Sequence, residues 1–187
     1  MSKEHNIIFL DIDGVLNGYN YWNLLGWNIV SKTHIKKLIN WYKKVSEPFG
    51  VHESKVKILA KIVHDTGAKI VMSSSWRHSW WNTPYEKQLD EQKKLTDLFK
   101  KYNIEVIDIT AKSTTNRRDK EIATWLSRHE DNVNNFIIID DEKCLFYEDR
   151  LILTTSVIRS KVIKKLVIRN TGLKRKHIKQ AIKLFKQ

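Results

Sequence analysis

Two aspartates separated by one residue follow the first strongly apolar segment of the chain. The run Ile7–Leu10 leads directly into Asp11-Ile12-Asp13-Gly14-Val15. Because side chains alternate along a strand, Asp11 and Asp13 should point the same way as the chain leaves a sheet, and Gly14 allows a turn beneath them. Two like charges this close need a cation or a shared proton to coexist. The alternative is a simple Asp-rich turn, since D-x-D-G also occurs in calcium loops and plain turns.

A carboxylate pair of this kind has a definite chemistry if a hard cation neutralises it. Mg²⁺ is the simplest candidate, because it prefers oxygen ligands and also binds phosphate oxygens. One carboxylate could then attack phosphorus while the other moves protons. The pattern therefore predicts phosphoryl transfer through an aspartyl-phosphate, with Mg²⁺ as the cofactor.

Three further polar clusters follow apolar runs or open a helical pattern. Lys69–Met72 leads into Ser73-Ser74-Ser75-Trp76-Arg77, and Asn135–Ile139 leads into Asp140-Asp141-Glu142. Between them, Asn116–Ile122 begins a helical pattern with several cations. A hydroxyl, a cation and a second acidic pair are therefore available at strand ends or at a helix start.

The order of these clusters resembles the haloacid dehalogenase-like (HAD) phosphatase superfamily. Its motifs are D-x-D-G after the first strand, Ser or Thr after the second, Lys or Arg before a helix, and an acidic pair at a later strand. The matching residues extend from Phe9 to Asp141. More narrowly, D-I-D-G-V-L-N, S-S-S-W-R and I-D-D look like the HAD domains of RNA repair proteins and of polynucleotide kinase-phosphatases.

The resemblance implies a role for each acidic residue. Asp11 would be the nucleophile, and Asp13 would be the acid/base that protonates the leaving oxygen and then activates water. Asp140, helped by Asp141, would hold Mg²⁺ together with Asp11 and the backbone carbonyl of Asp13.

The sequence does not decide which of several neighbouring residues bind the phosphate. Either Ser73 or Ser74 would bind the transferred phosphoryl group, and the spacing to Trp76 and Arg77 favours Ser74. For the cation, Lys120 is the first choice and Arg118 the second, with a solvated basic helix start as the alternative.

Trp76 and Arg77 are candidate substrate-binding residues beside these groups. Arg77 could clamp a substrate phosphate or pair with a surface acid. Trp76 could stack on a base or pack into the core.

The elements alternate between strand and helix along most of the chain, which predicts a parallel sheet covered on both faces. A helix through Val56, Leu59 and Ile62 should end at Gly67. The implied fold is a three-layer α/β/α Rossmann-like, HAD-like sheet. We expect one domain over residues 1–187, with a small helical cap inserted after the first strand at about residues 18–50.

Composition bears on the partner. The chain has 34 Lys and Arg against 21 Asp and Glu, a formal net charge of +13, and such an excess attracts polyanions, above all nucleic acid. No apolar stretch approaches the roughly 20 residues of a membrane-spanning helix. The N-terminus lacks a signal-like apolar core, and the single Cys144 fits a reducing compartment, so we expect a cytoplasmic protein. Nothing in the sequence indicates an obligate protein partner.

The expected function is thus a Mg²⁺-dependent phosphomonoesterase that removes terminal phosphates, 3′ rather than 5′, from RNA or DNA ends. Two alternatives remain. One is a HAD phosphatase for nucleotides or other small metabolites, and the other is a non-catalytic nucleic-acid-binding module. A fused kinase is not expected, because the G-x-x-x-x-G-K phosphate-binding pattern is absent from the sequence.

Overall fold

A computed structural model describes residues 5–17, 50–113, 117–159, 166–170 and 172–187. Its centre is a parallel sheet of five strands in the order β3-β2-β1-β4-β5. The strands are β1 (His5–Leu10), β2 (Lys69–Met72), β3 (Val106–Ile109), β4 (Val133–Asp140) and β5 (Leu151–Leu153). The order reverses direction at β1, and open α/β sheets bind their ligands at such a reversal.

The carboxyl-terminal parts of the central strands β1, β2 and β4 are buried, and these parts are almost entirely apolar. In β1, Ile8 and Leu10 belong to one core cluster, whereas Ile7 and Phe9 belong to a second. This division follows from the two-residue repeat of a strand. The apolar run that precedes the aspartates is therefore the middle of the molecule.

Five α-helices occur among the described residues: α1 (Glu53–Thr66), α2 (Arg77–Trp80), α3 (Asp90–Lys101), α4 (Arg118–Arg128) and α5 (Lys176–Phe185). Helices α1, α3 and α5 contribute apolar residues to the first cluster, and α4 contributes Ile122 and Trp125 to the second. Two short 3₁₀ helices lie at Tyr85–Lys87 and Leu145–Arg150. The predicted three-layer α/β/α architecture is confirmed, as is the left-handed Gly67 that ends α1.

One described part of the chain differs from the sequence-based outline. Strands β6 (Thr155–Arg159) and β7 (Leu166–Asn170) pair antiparallel and form a separate two-stranded sheet, which the alternation of strands and helices along the sequence did not predict. The predicted cap at about residues 18–50 lies almost wholly outside the described residues. Within the described ranges, no helix has the length and apolar character needed to cross a bilayer.

The start of the C-terminal segment packs tightly against the turn that carries the first aspartates. The Leu173 amide donates to the Val15 carbonyl at 2.9 Å. Gly172 has a φ of +63°, and a Cβ added there would lie 2.6 Å from the Val15 carbonyl oxygen. Gly67 has the same φ of +63°, but a Cβ added to it would meet nothing within 4 Å.

Replacing each of these glycines with alanine should separate backbone strain from steric clash. Gly67→Ala should cost about 1 kcal/mol, the usual penalty of a left-handed alanine. Gly172→Ala should cost about 1 to 3 kcal/mol more, because the carbonyl it meets belongs to packed backbone. Urea unfolding of both variants measures the difference. Equal losses would show that the turn relaxes around the added methyl group.

Candidate active site

The first aspartate lies at the carboxyl end of β1, where the neighbouring strands also end. The Asp11 amide donates to the Ile139 carbonyl of β4 at 3.0 Å, so the backbone is still tied to the sheet at this point. Asp11 is buried. The chain then turns at Gly14, whose φ is +71°. The turn places the Asp11 carboxylate at the reversal point of the sheet.

The second aspartate is held by two side chains. Asn17 Nδ2 donates to Asp13 Oδ1 at 2.7 Å, and Trp76 Nε1 donates to Asp13 Oδ2 at 3.1 Å. Asn17 also accepts from the Gly14 amide at 2.7 Å, so it closes the turn and orients the carboxylate together. The two contacts therefore fix the direction of this carboxyl group.

The serines after β2 differ in their environments. Ser74 lies near the Asp11 carboxylate and favours a lower pKa for it, whereas the buried Ser73 hydroxyl has no partner within the described part of the structure. Ser74 also receives the Trp76 amide at 3.4 Å. The geometry thus favours Ser74 as the hydroxyl beside the first aspartate, in agreement with the spacing argument.

Arg118, at the start of α4, joins two of the acidic strand ends. Its Nη1 lies 2.7 Å from Asp11 Oδ1 and 3.0 Å from Asp140 Oδ2. Burial disfavours charge on Arg118, but Asp140 and Asp11 outweigh it, so the pKa of Arg118 is raised. Lys120 is exposed on the same helix. The arrangement favours Arg118 over Lys120, the reverse of the order inferred from the sequence.

Asp140 and Asp141 complete an acidic cluster with Asp11. One carboxylate oxygen from each lies within 4.8 Å of the others, and no other cluster of this kind occurs among the described residues. Burial raises the pKa of both Asp11 and Asp140, although Arg118 opposes the change in each. One guanidinium therefore does not fully offset the cost of burying these carboxylates. An all-oxygen, electron-rich cluster of this kind fits Mg²⁺.

Arg77 lies behind the serines and is almost fully buried, with 4% of its side chain exposed. It donates to the backbone carbonyls of Ser73, Ser74 and Thr110 at 2.7 to 2.8 Å. Its remaining contact is an ion pair with Glu121 of α4 at 2.8 Å. Burial lowers the pKa of Arg77 and Glu121 counters this effect. These bonds connect the ends of β2 and β3 to the helix that carries Arg118.

Three residues of this arrangement had no role assigned from the sequence: Asn17, Glu121 and Thr154. Thr154 Oγ1 donates to the Gly14 carbonyl at 2.8 Å, and its amide donates to the Asp140 carbonyl at 2.9 Å. Asn17 ends the run D-I-D-G-V-L-N, so its nearness to the two aspartates could have been predicted from the sequence. Glu121 and Thr154 act through contacts distant in sequence, which no local pattern shows.

Cys144 is buried in the second core cluster rather than in the site. Burial raises the pKa of its thiol to about 11, so the thiol stays protonated near neutral pH. Because the thiolate is the reactive form of cysteine, Cys144 is a core residue rather than a nucleophile.

The chain matches a model of a known protein family. The family model described as the HAD domain in Swiss Army Knife RNA repair proteins matches residues 7–162. No curated protein and no solved structure gives a significant match. The matched region contains the D-x-D-G turn, the serines after β2, the start of α4 and the acidic pair after β4, which the fold brings together at one end of the sheet. The chain therefore belongs to the family of HAD domains in Swiss Army Knife RNA repair proteins.

Proposed function

We propose that this domain is a Mg²⁺-dependent phosphomonoesterase that removes terminal phosphates, 3′ rather than 5′, from nucleic acid. One observation carries the proposal: the Asp11 carboxylate forms an ion pair with Arg118, lies near Ser74 and belongs to the acidic cluster with Asp140 and Asp141. A nucleophile, two donors for phosphoryl oxygens and a cation site thus converge at one point.

The reaction has two balanced steps. The Asp11 carboxylate attacks phosphorus, the bond from phosphorus to the leaving oxygen breaks, and Asp13 gives its proton to that oxygen. Water then attacks the aspartyl-phosphate and Asp13 takes back a proton, so inorganic phosphate leaves and Asp11 is regenerated. Ser74 and Arg118 donate to the phosphoryl oxygens throughout. Asn17 and Trp76 keep the Asp13 carboxyl group aimed at the leaving oxygen.

Mg²⁺, when bound by Asp11, Asp140, Asp141 and the Asp13 carbonyl, would offset the acidic charge and polarise the phosphoryl group. We expect Mg²⁺ at about 100 times its dissociation constant to raise Tm by about 5 to 10 °C. Asp140→Asn should largely abolish this shift, because it removes one of the clustered ligands.

The control for the magnesium effect is Asp90→Asn, which removes an exposed carboxylate at the start of α3, away from the cluster. This variant should keep the Mg²⁺-dependent shift of the unmodified protein. Thermal unfolding with Mg²⁺ and with EDTA measures all three proteins. The same Tm in both conditions for the unmodified protein would rule out a magnesium site of useful affinity.

Nucleic acid as the substrate is supported by the net charge of +13 and by the RNA repair proteins named in the family description. Lys120 is exposed on α4, two residues after Arg118, and we assign it to a backbone phosphate rather than to the reacting one. The preference for the 3′ end follows from the resemblance to end-repair phosphatases.

The test is phosphate release in Mg²⁺ from RNA and DNA oligonucleotides of one sequence, carrying either a 3′- or a 5′-phosphate, and from the matching mononucleotides. Preferential release from 3′-phosphorylated oligonucleotides, lost in EDTA, is the expected result. Release from mononucleotides alone would replace the proposal with a metabolite phosphatase. Binding of oligonucleotides without release of phosphate would indicate a non-catalytic module.

A further inference from the structure

An exposed aromatic side chain lies directly after the acidic loop. Leu145 and Phe146 open the 3₁₀ helix Leu145–Arg150, with 66% and 56% of their surfaces exposed. Their neighbours supply the packing of this segment: Cys144 is buried, and Tyr147 makes an edge-to-face contact with Phe136 at 5.3 Å. The core therefore does not account for the position of Phe146.

One cation is fixed against this ring. The Arg117 guanidinium lies 4.9 Å from the centroid of Phe146. Arg117 is itself held by the buried carboxylate of Asp119 through two hydrogen bonds. Asp119 thus holds the Arg117 guanidinium in place beside the Phe146 ring. A guanidinium over the electron-rich face of an aromatic ring is a favourable cation–π arrangement.

Arg117 and Phe146 form an exposed patch, and the two segments that supply them also carry residues of the active site. Arg117 immediately precedes Arg118, which contacts Asp11. Phe146 follows the acidic pair Asp140 and Asp141 by only a few residues. Phe146 and Arg117 therefore belong to the same two segments that supply the acidic pair and Arg118. The base of a nucleotide whose phosphate is held at Asp11 is the substrate group that this ring would meet.

We propose that Phe146, backed by Arg117, is a stacking platform for the base of the nucleotide that carries the terminal phosphate. This inference rests on the proposed function and adds a substrate requirement to it. Bases of any identity stack on an exposed aromatic ring beside a cation. The platform thus predicts an enzyme that needs a terminal base but is tolerant of which base it is.

The test compares two oligonucleotides with the same terminal phosphate. In one the terminal nucleotide carries its base, and in the other it is abasic. For the unmodified protein, kcat/KM should be about 10- to 100-fold higher with the base present. In Phe146→Ala this ratio should fall to about 1. Phe146→Trp should restore it, because an indole also stacks.

Leu145→Ala is the matched control, since it truncates an equally exposed apolar side chain on the same turn without removing a ring. It should keep the ratio of the unmodified protein. Equal base dependence in Phe146→Ala and the unmodified protein would overturn the platform alone and leave the proposed function intact. Failure of the unmodified protein to release phosphate from any oligonucleotide would overturn the proposed function and the platform together.

Discussion

Asp11→Asn should lower phosphate release by at least about 10⁴-fold while leaving the protein folded. An amide oxygen is a poor nucleophile toward phosphorus, so no aspartyl-phosphate can form. The substitution changes almost no volume, and Arg118 keeps its contact with Asp140 at 3.0 Å. Phosphate release and thermal unfolding, measured on the same preparation, separate lost chemistry from lost structure. Activity within about tenfold of the unmodified protein would exclude Asp11 as the nucleophile.

Asp13→Asn is the comparison that assigns the two aspartates to different steps. It keeps the nucleophile but removes the group that activates water, so the phosphorylated enzyme should accumulate. With a substrate whose leaving group needs no proton, we expect close to one equivalent of labelled phosphate to stay bound to the protein. Asp11→Asn should retain none. Identical labelling of the two variants would contradict the division of roles.

The sequence predicted the strands that carry this site, because each strand is recognisable from its own run of apolar residues. The run before Asp11, the run before Ser73 and the run before Asp140 each read as a buried strand on their own. Parallel strands end at one edge of a sheet, so the polar residues that follow them must meet. The acidic cluster and the serine beside it follow from that rule.

No local run of residues indicates which of two neighbouring candidates occupies the site. Whether Arg118 or Lys120 reaches Asp11 depends on the rotation of α4 about its axis, and that rotation is set by Ile122 and Trp125 in the core. The pairing of β6 with β7 was not predicted because it requires two separate segments of the chain to meet, which neither segment shows on its own.

Arg77 shows the same limit most clearly. Its neighbours in sequence suggested a substrate contact, but its ion-pair partner is 44 residues away, in Glu121. An arginine that is 4% exposed and faces a glutamate that is 6% exposed is better placed to hold backbone than to bind a ligand. We therefore interpret Arg77 as a positioning residue, which acts on the reaction through Ser74 and α4.

Arg77→Met should destabilise the protein by about 3 to 5 kcal/mol, because it leaves the buried Glu121 carboxylate without its charged partner. Glu121→Met should lower the free energy of unfolding by a similar amount, because it leaves the buried Arg77 guanidinium without its charged partner. The double variant buries neither charge, so its free energy of unfolding should be clearly higher than the sum of the two losses predicts. Urea unfolding of the four proteins measures this coupling.

Activity should not follow stability in that cycle. The double variant still lacks the donors to the Ser73, Ser74 and Thr110 carbonyls, so the Ser74 hydroxyl is no longer held against Asp11. We expect kcat to stay at least about tenfold below that of the unmodified protein at a temperature where both are folded, with a smaller change in KM, since a misplaced donor weakens the transition state more than substrate binding. A purely structural contact can be replaced by apolar packing, whereas a contact that positions Ser74 cannot. Recovery of kcat together with stability in the double variant would therefore mean that Arg77 and Glu121 serve only the fold.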